Sequence, residues 1–278
     1  MRIAPSRYAV HPDQVQGMNT SELRNHFLIE NIFVPNEVTQ VYSHFDRLIV
    51  GGAAPIDKPV KLEAFDELKA TFYLERRELG IINVGEPGVV AADGKSFELK
   101  NKEALYIGMG TKEVVFSSSP GRKSLFYINS APAHATCPSR KITLHEAETV
   151  ELGSPETSNQ RTIRKLMVAS VLPTCRLQMG LTELKTGSIW NTMPPHTHTR
   201  RMEAYFYFDL GEGHAVSHFM GEPSETRHLW VANQQAVISP PWSIHSGAGT
   251  SSYSFIWSMT GENLDYTDMD AAPVAKLR

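Results

Sequence analysis

Four side chains able to hold a transition-metal ion stand in two short stretches of the chain. "PPHTHTRRMEAYFYFDLGEG", residues 194–213, carries His196, His198 and Glu203, and "SPPWSIHSG", residues 239–247, carries His245. With 11 His in 278 residues an accidental H-x-H is expected roughly 0.4 times; a carboxylate at the next spacing and a His after a Pro-containing turn lower that to about 0.01. Three neutral imidazoles and a carboxylate leave a divalent ion with a net charge of about +1, a set that suits zinc, iron, nickel or manganese rather than calcium or magnesium. Such an ion remains a Lewis acid. The competing reading is a closed tetrahedral zinc that only staples the fold, but structural zinc usually recruits Cys and this set has none.

The spacing also says what must position these groups. His196 and His198 are two apart and share one face of a strand, whereas Glu203 lies an odd number of positions from His198 and would face away if that strand ran on. A turn over 199–201 is therefore required. Beyond it, Glu203, Tyr205 and Tyr207 share one face of the aromatic strand and Ala204, Phe206 and Phe208 the other. His245, just past "SPPWSI", is placed to enter the same cavity from a distant strand.

Around this pattern the chain reads as mainly β. Beyond residue 70, short runs rich in Val, Ile, Tyr, Phe and Thr are punctuated by "GEPG", "ADGKS", "SSSPG" and "PPW", as in a sandwich or barrel. Helices are expected only near the start, over 20–32 and 36–50, the second from Val38, Val41, Tyr42, Phe45 and Leu48 at helical spacing. Residues 102–118 and 233–249 share a rhythm in which Ala104 falls on Ala236 and Glu113 on His245, and upstream Phe97 and Leu99 fall on Leu229 and Val231. Two related β domains are inferred, residues 1–150 with the N-terminal helices and 151–278 with the metal donors, divided in "ELGSPETSNQ" at 151–160.

Composition narrows the function classes. At 41% hydrophobic and 21% charged the chain has the balance of a soluble globular protein, and a net charge of -3 gives no basic excess for nucleic acid. No apolar run of 18 residues suggests a membrane span, and the start lacks a signal-like stretch, so a cytoplasmic protein is expected. Cys137 and Cys175, in no C-x-x-C pair, are read as two semi-buried thiols.

H-x-H, four residues, Glu, Gly after seven more, then P-x-x-x-x-H resembles the two-motif signature of the cupin superfamily. "HFLIENIFVPNEVTQVYSHFDRLIVGG", "YLERRELGIINVG", "ALYIGMGTKEVVF", "NTMPPHTHTRRMEAYFYF", "ETRH", "QAVISPPWSIHSG" and "MTGEN" together resemble the 5-keto-4-deoxyuronate isomerases over nearly the whole chain. The resemblance implies two tandem cupin-type β-barrels, a bicupin, with a few short, mostly N-terminal helices. It implies a cytoplasmic homo-hexamer in pectin or other uronate breakdown, with one zinc per subunit in the second barrel on His196, His198, Glu203 and His245. The first barrel, with Glu113 opposite His245 and no H-x-H, would be metal-free.

The implied reaction moves a carbonyl from C1 to C2 of 5-dehydro-4-deoxy-D-glucuronate, giving 3-deoxy-D-glycero-2,5-hexodiulosonate by a proton shift through an enediolate. A cation must stabilise the oxyanion and a base must take the carbon proton. Tyr205 and His218 are the candidate proton carriers. Arg161, Arg200, Arg201 and Arg227 are candidates to hold the substrate carboxylate. The rival readings are a cupin metal-dependent dioxygenase and a non-catalytic sugar-binding cupin.

Overall fold

The computed structural model describes residues 1–119, 121–262 and 264–278. Strands dominate it. Two short α-helices, Pro12–Gln16 and Thr20–Phe27, are each opened by a capping box, His11 with Gln14 and Asn19 with Glu22. These reciprocal bonds satisfy N–H groups that a first turn leaves unpaired.

The helix expected over 36–50 is instead an antiparallel pair of strands, Val38–Tyr42 and Ile49–Ala53. Every residue of both is buried, so apolar side chains fall on both faces and their spacing mimics a helix. Asp46 and Arg47, at φ 44° and 54°, lie in the connection between the two strands. The helix expected over 20–32 ends at Phe27, and Leu28–Ile29 leave as a strand.

The strands form two corresponding halves. In the first, a seven-stranded sheet runs Arg2–Ile3, Val38–Tyr42, Ile49–Ala53, Phe126–Pro132, Arg77–Asn83, Ala104–Ile107, Arg140–Ile142. In the second, the order is Glu148–Leu152, Arg161–Met167, Gln178–Leu184, Ser254–Gly261, Arg201–Phe208, Gln235–Ser239, Leu28–Ile29. Each half adds a four-stranded sheet: Val60–Lys61, Val114–Ser118, Gly88–Ala92, Lys95–Leu99 in one, and Trp190–Asn191, Ser246–Gly249, Val216–Glu222, Glu225–Val231 in the other. Within each half the two sheets share one apolar cluster, Val90 and Phe116 with Ile81 and Phe126 in the first, Val216 and Leu229 with Tyr207 and Phe255 in the second. None of the sheets closes on itself by hydrogen bonds among the described residues.

The two large sheets meet back to back. Tyr127, Tyr106 and Ile82 of the first pack with Phe206, Met179 and Ile256 of the second in a single buried cluster, and the Tyr127 and Phe206 rings stack at 4.4 Å. Glu78 reinforces this seam. Its fully buried carboxylate accepts the Tyr106 hydroxyl at 2.7 Å and the backbone N–H groups of Cys175, Arg176 and Leu177 at 2.8, 2.7 and 2.7 Å. The N-terminal segment crosses over as well: Leu28 and Ile29 pair with Val237 and Ala236, and Leu23 and Phe27 join the second half's core. The helices grouped with residues 1–150 in the sequence thus lie against the second half, and Glu148–Leu152 already pairs in its sheet.

Register shows why the halves differ in chemistry. Ile82 faces Ala104 as Phe206 faces Ala236; three residues back along those strands stand Leu79, opposite Ile107, and Glu203, opposite Ser239. The first half therefore has an apolar side chain where the second has a carboxylate, and Glu113, matched with His245 in sequence, pairs with Lys61 at the surface. Among the described residues one group of metal-grade donors is present.

Candidate metal centre

That group is His196, His198, Glu203 and His245, whose ligand atoms all lie within 4.8 Å of one another. His196–Thr197 is a two-residue strand; the chain turns over 198–200 and re-enters the large sheet as Arg201–Phe208, which brings Glu203 round to face the histidines. His245 comes from the loop after Pro240 and Pro241, directly before the Ser246–Gly249 strand. His198, Glu203 and His245 are buried and His196 is partly open.

The contacts among these atoms suit a shared cation. His198 Nδ1 lies 2.7 Å from the Asp268 carbonyl, which can only accept, so that nitrogen carries the proton. A neutral His198 in this tautomer presents the lone pair of Nε2 to Glu203 Oε1, 2.6 Å away, itself an acceptor. His196 Nε2 and His245 Nε2 face one another at 2.9 Å, and His245 Nε2 lies 3.5 Å from Glu203 Oε1. The His198 Nε2 lone pair and Glu203 Oε1, two acceptors facing each other in a buried space, repel unless a positive charge sits between them, and the donor types of the group are those of a zinc or iron site.

The charge states agree with this. Burial would raise the Glu203 carboxyl, but the neighbouring His245, His198 and His196 outweigh it and hold it at about 2. Burial takes His196 down to about 4 and His245 well below the usual imidazole range. At neutral pH these three groups stand ready as one carboxylate and two neutral imidazoles.

The centre opens on a cavity of about 300 Å³. Its floor is the inner face of the second large sheet, where Trp257 pairs in register with Tyr205 on one side and Gly180 on the other, and Met259 with Glu203. A Cβ at Gly180 would fall within the Trp257 indole, so glycine there lets the ring lie across the neighbouring strand. Tyr266 and Met269 close the cavity from the C-terminal segment, and the Tyr266 ring stands 5.4 Å from Trp257.

The structure places the residues named from sequence unequally. Tyr205 lines the cavity and its hydroxyl lies 3.0 Å from Thr192 Oγ1; burial first, then Glu203, push its pKa well above 10. His218 stands behind Tyr205, ring centroids 5.8 Å apart, is fully buried, and places Nδ1 2.7 Å from the Tyr207 hydroxyl. It is not among the lining residues. Arg161 lines the cavity and gives one N–H to the Asn159 carbonyl at 2.8 Å. Arg201 also reaches the cavity, but its guanidinium donates to the carbonyls of Asp265, Tyr266 and Asp268. Arg200 pairs with Glu262, and Arg227 with Glu225 and the Gln16 carbonyl, and neither lines the cavity, because these partners hold them elsewhere. Sequence reasoning missed the C-terminal segment altogether: its contribution to His198 and Arg201 is made by backbone carbonyls, which leave no mark on residue type.

Residues 29–274 match the KduI/IolB family. A 4-deoxy-L-threo-5-hexosulose-uronate ketol-isomerase of Formosa agariphila is 56% identical over 274 residues, 98% of each chain, and 4-deoxy-L-threo-5-hexosulose-uronate ketol-isomerase 1 of Bacteroides thetaiotaomicron is 56% identical over 273 residues, again 98% of each. Among solved structures, an IolB-like protein from Salmonella typhimurium superposes with a TM-score of 0.70 over 86% of this chain and 94% of that one, at 15% identity, a likeness of fold alone.

Proposed function

The chain belongs to the KduI/IolB family, with a mainly β, cupin-like fold, and from that premise we propose that it is a ketol-isomerase of 5-dehydro-4-deoxy-D-glucuronate in uronate catabolism. One observation carries the chemistry: a buried centre of three imidazoles and a carboxylate in the wall of a cavity that also holds a guanidinium. The sequence resemblance further supports zinc as the ion, one per chain, two tandem cupin-type units, a homo-hexamer and a cytoplasmic location.

In the reaction a C2–H bond breaks and a C1–H bond forms, while O2 gives up a proton and O1 gains one. The barrier is the weak acidity of the carbon next to the carbonyl. His196, His198, Glu203 and His245 would hold a divalent ion, which supplies Lewis-acid stabilisation of the negative charge developing on O1 and O2. Tyr205 keeps its proton at neutral pH, because burial and the nearby Glu203 disfavour the phenolate. It therefore suits donating a proton to a substrate oxygen at the cavity wall, with Thr192 fixing its hydroxyl. His218, one layer back, buttresses Tyr205 without touching the cavity. Arg161 is the cation on the cavity wall available to the substrate carboxylate, since Arg201 is tied to the chain itself. Met193, Phe255, Trp257 and Met259 give that space a largely apolar lining that excludes water from the reacting carbons.

The test follows C1 and C2 by NMR with purified protein and the 4-deoxy-5-keto uronate. The aldehyde signal is expected to give way to that of a hydroxymethyl ketone, to stop after chelation and to resume with zinc. His245→Ala should lose metal and turnover together. Persistence of the aldehyde at high enzyme concentration, or full activity in metal-stripped protein, would refute the reading.

A further inference from the structure

The two-residue strand His196–Thr197, which carries the first histidine of the His-x-His pair, has a single strand partner among the described residues, Asp270–Ala271 in the C-terminal segment. His196 pairs with Ala271 and Thr197 with Asp270, and the Ala272 N–H donates to the Pro195 carbonyl at 3.0 Å. The segment 265–272 thus runs as a strap across the mouth of the centre, carrying Tyr266 and Met269 into the cavity. Its inner anchor is Arg201, among the largest fully buried side chains of the molecule. A buried guanidinium needs acceptors, and among the described residues three strap carbonyls serve: Asp265, Tyr266 at 3.0 Å and Asp268 at 3.0 Å. The Asp268 carbonyl also accepts the His198 Nδ1 proton at 2.7 Å. One oxygen therefore joins the anchor to an imidazole of the centre.

We propose that Arg201 is a positioning residue that docks the C-terminal strap, and that the docked strap fixes the tautomer and orientation of His198, so that strap closure and metal retention are one coupled equilibrium. The planar fork of arginine suits this task, because it spans several carbonyls at once where lysine offers a point charge. Outer-sphere groups that orient a metal-binding imidazole typically change affinity by about 10- to 100-fold. Coupling is reciprocal, so an ion held by His198 must stabilise the docked strap by the same factor. The strap also supplies two walls of the cavity, so its release would open the site as well as loosen the ion.

Two measurements on the full-length protein test this without reference to turnover: zinc affinity by chelator competition, and hydrogen exchange of amides 265–272 with and without zinc. In the native protein zinc is expected to slow exchange of the strap. Arg201→Lys should bind zinc about 10- to 100-fold more weakly and lose that protection. Ala272→Pro, which removes the N–H bonded to Pro195 and leaves the buried guanidinium in place, should show the same pair of effects should the arginine variant fail to fold. Native zinc affinity in either folded variant, or strap exchange indifferent to zinc, would overturn the coupling. Absence of zinc binding by the native protein would overturn it together with the metal centre, whereas inactivity of a zinc-loaded protein with a protected strap would count against the isomerase reading alone.

Discussion

His218 is held neutral by its surroundings. Fully buried between Tyr205 and Tyr207, it is taken by burial to about 3, far below an ordinary imidazole at 6.5. Between those two values the unfolded chain binds a proton that the folded chain refuses, so folding becomes less favourable as pH falls through this window. The slope attributable to one such group is at most about 1.4 kcal/mol per pH unit. His218→Asn, which removes the titrating group, should flatten the dependence of unfolding free energy on pH between 6.5 and 4 by up to that amount, measured by urea titration. Equal slopes in the two proteins would mean that His218 takes up its proton while folded and that water reaches it.

At the level of elements, the cavity floor depends on one strand making room for a side chain of the next. Gly180→Ala would put a methyl group against the Trp257 ring and the Arg164 carbonyl; the indole could yield only by disturbing the cavity floor, and the carbonyl only by disturbing the sheet. Overpacking of this kind costs about 1–3 kcal/mol. A fall of several degrees in melting temperature and a raised KM are expected; an unchanged melting curve would show that the indole does not lie across Gly180. This glycine had no signal in the sequence, since a close approach between adjacent strands has no spacing rule. The grouping of His196, His198, Glu203 and His245 was readable for the opposite reason: three fall within eight positions, and the parity of 196, 198 and 203 demands a turn that the chain makes. The hairpin Val38–Ala53 was misread because strands buried on both faces lose the alternation that distinguishes them from helices.

For the molecule as a whole, the question is whether an ion bound at the candidate centre of the second half would stabilise the first. The seam argues that it does. The large sheets share one apolar cluster, Glu78 of the first half holds three backbone N–H groups of the second, and Leu28–Ile29 bring the N-terminal chain into the second sheet. Parting the halves would expose Tyr127, Phe206 and Met179 to water and exchange the Glu78 hydrogen bonds for bonds to water, at about 1.5–3 kcal/mol net for each bond to the charged carboxylate and about 1.5–3 kcal/mol for each large side chain. Neither half can therefore melt first at low cost. Binding that favours only the folded state adds RT ln(1 + [L]/Kd), about 2.7 kcal/mol at a hundredfold excess over Kd, and in a cooperative molecule that increment reaches every element. Calorimetry should show one unfolding transition that moves upward as a unit with zinc. Hydrogen exchange in Phe126–Pro132, a central strand of the first half with no donor to the ion, should slow as much as in Ser254–Gly261. Two transitions, with zinc shifting one of them, would mean that the seam is a contact between independently stable halves and that the first half is a scaffold in position but not in energy.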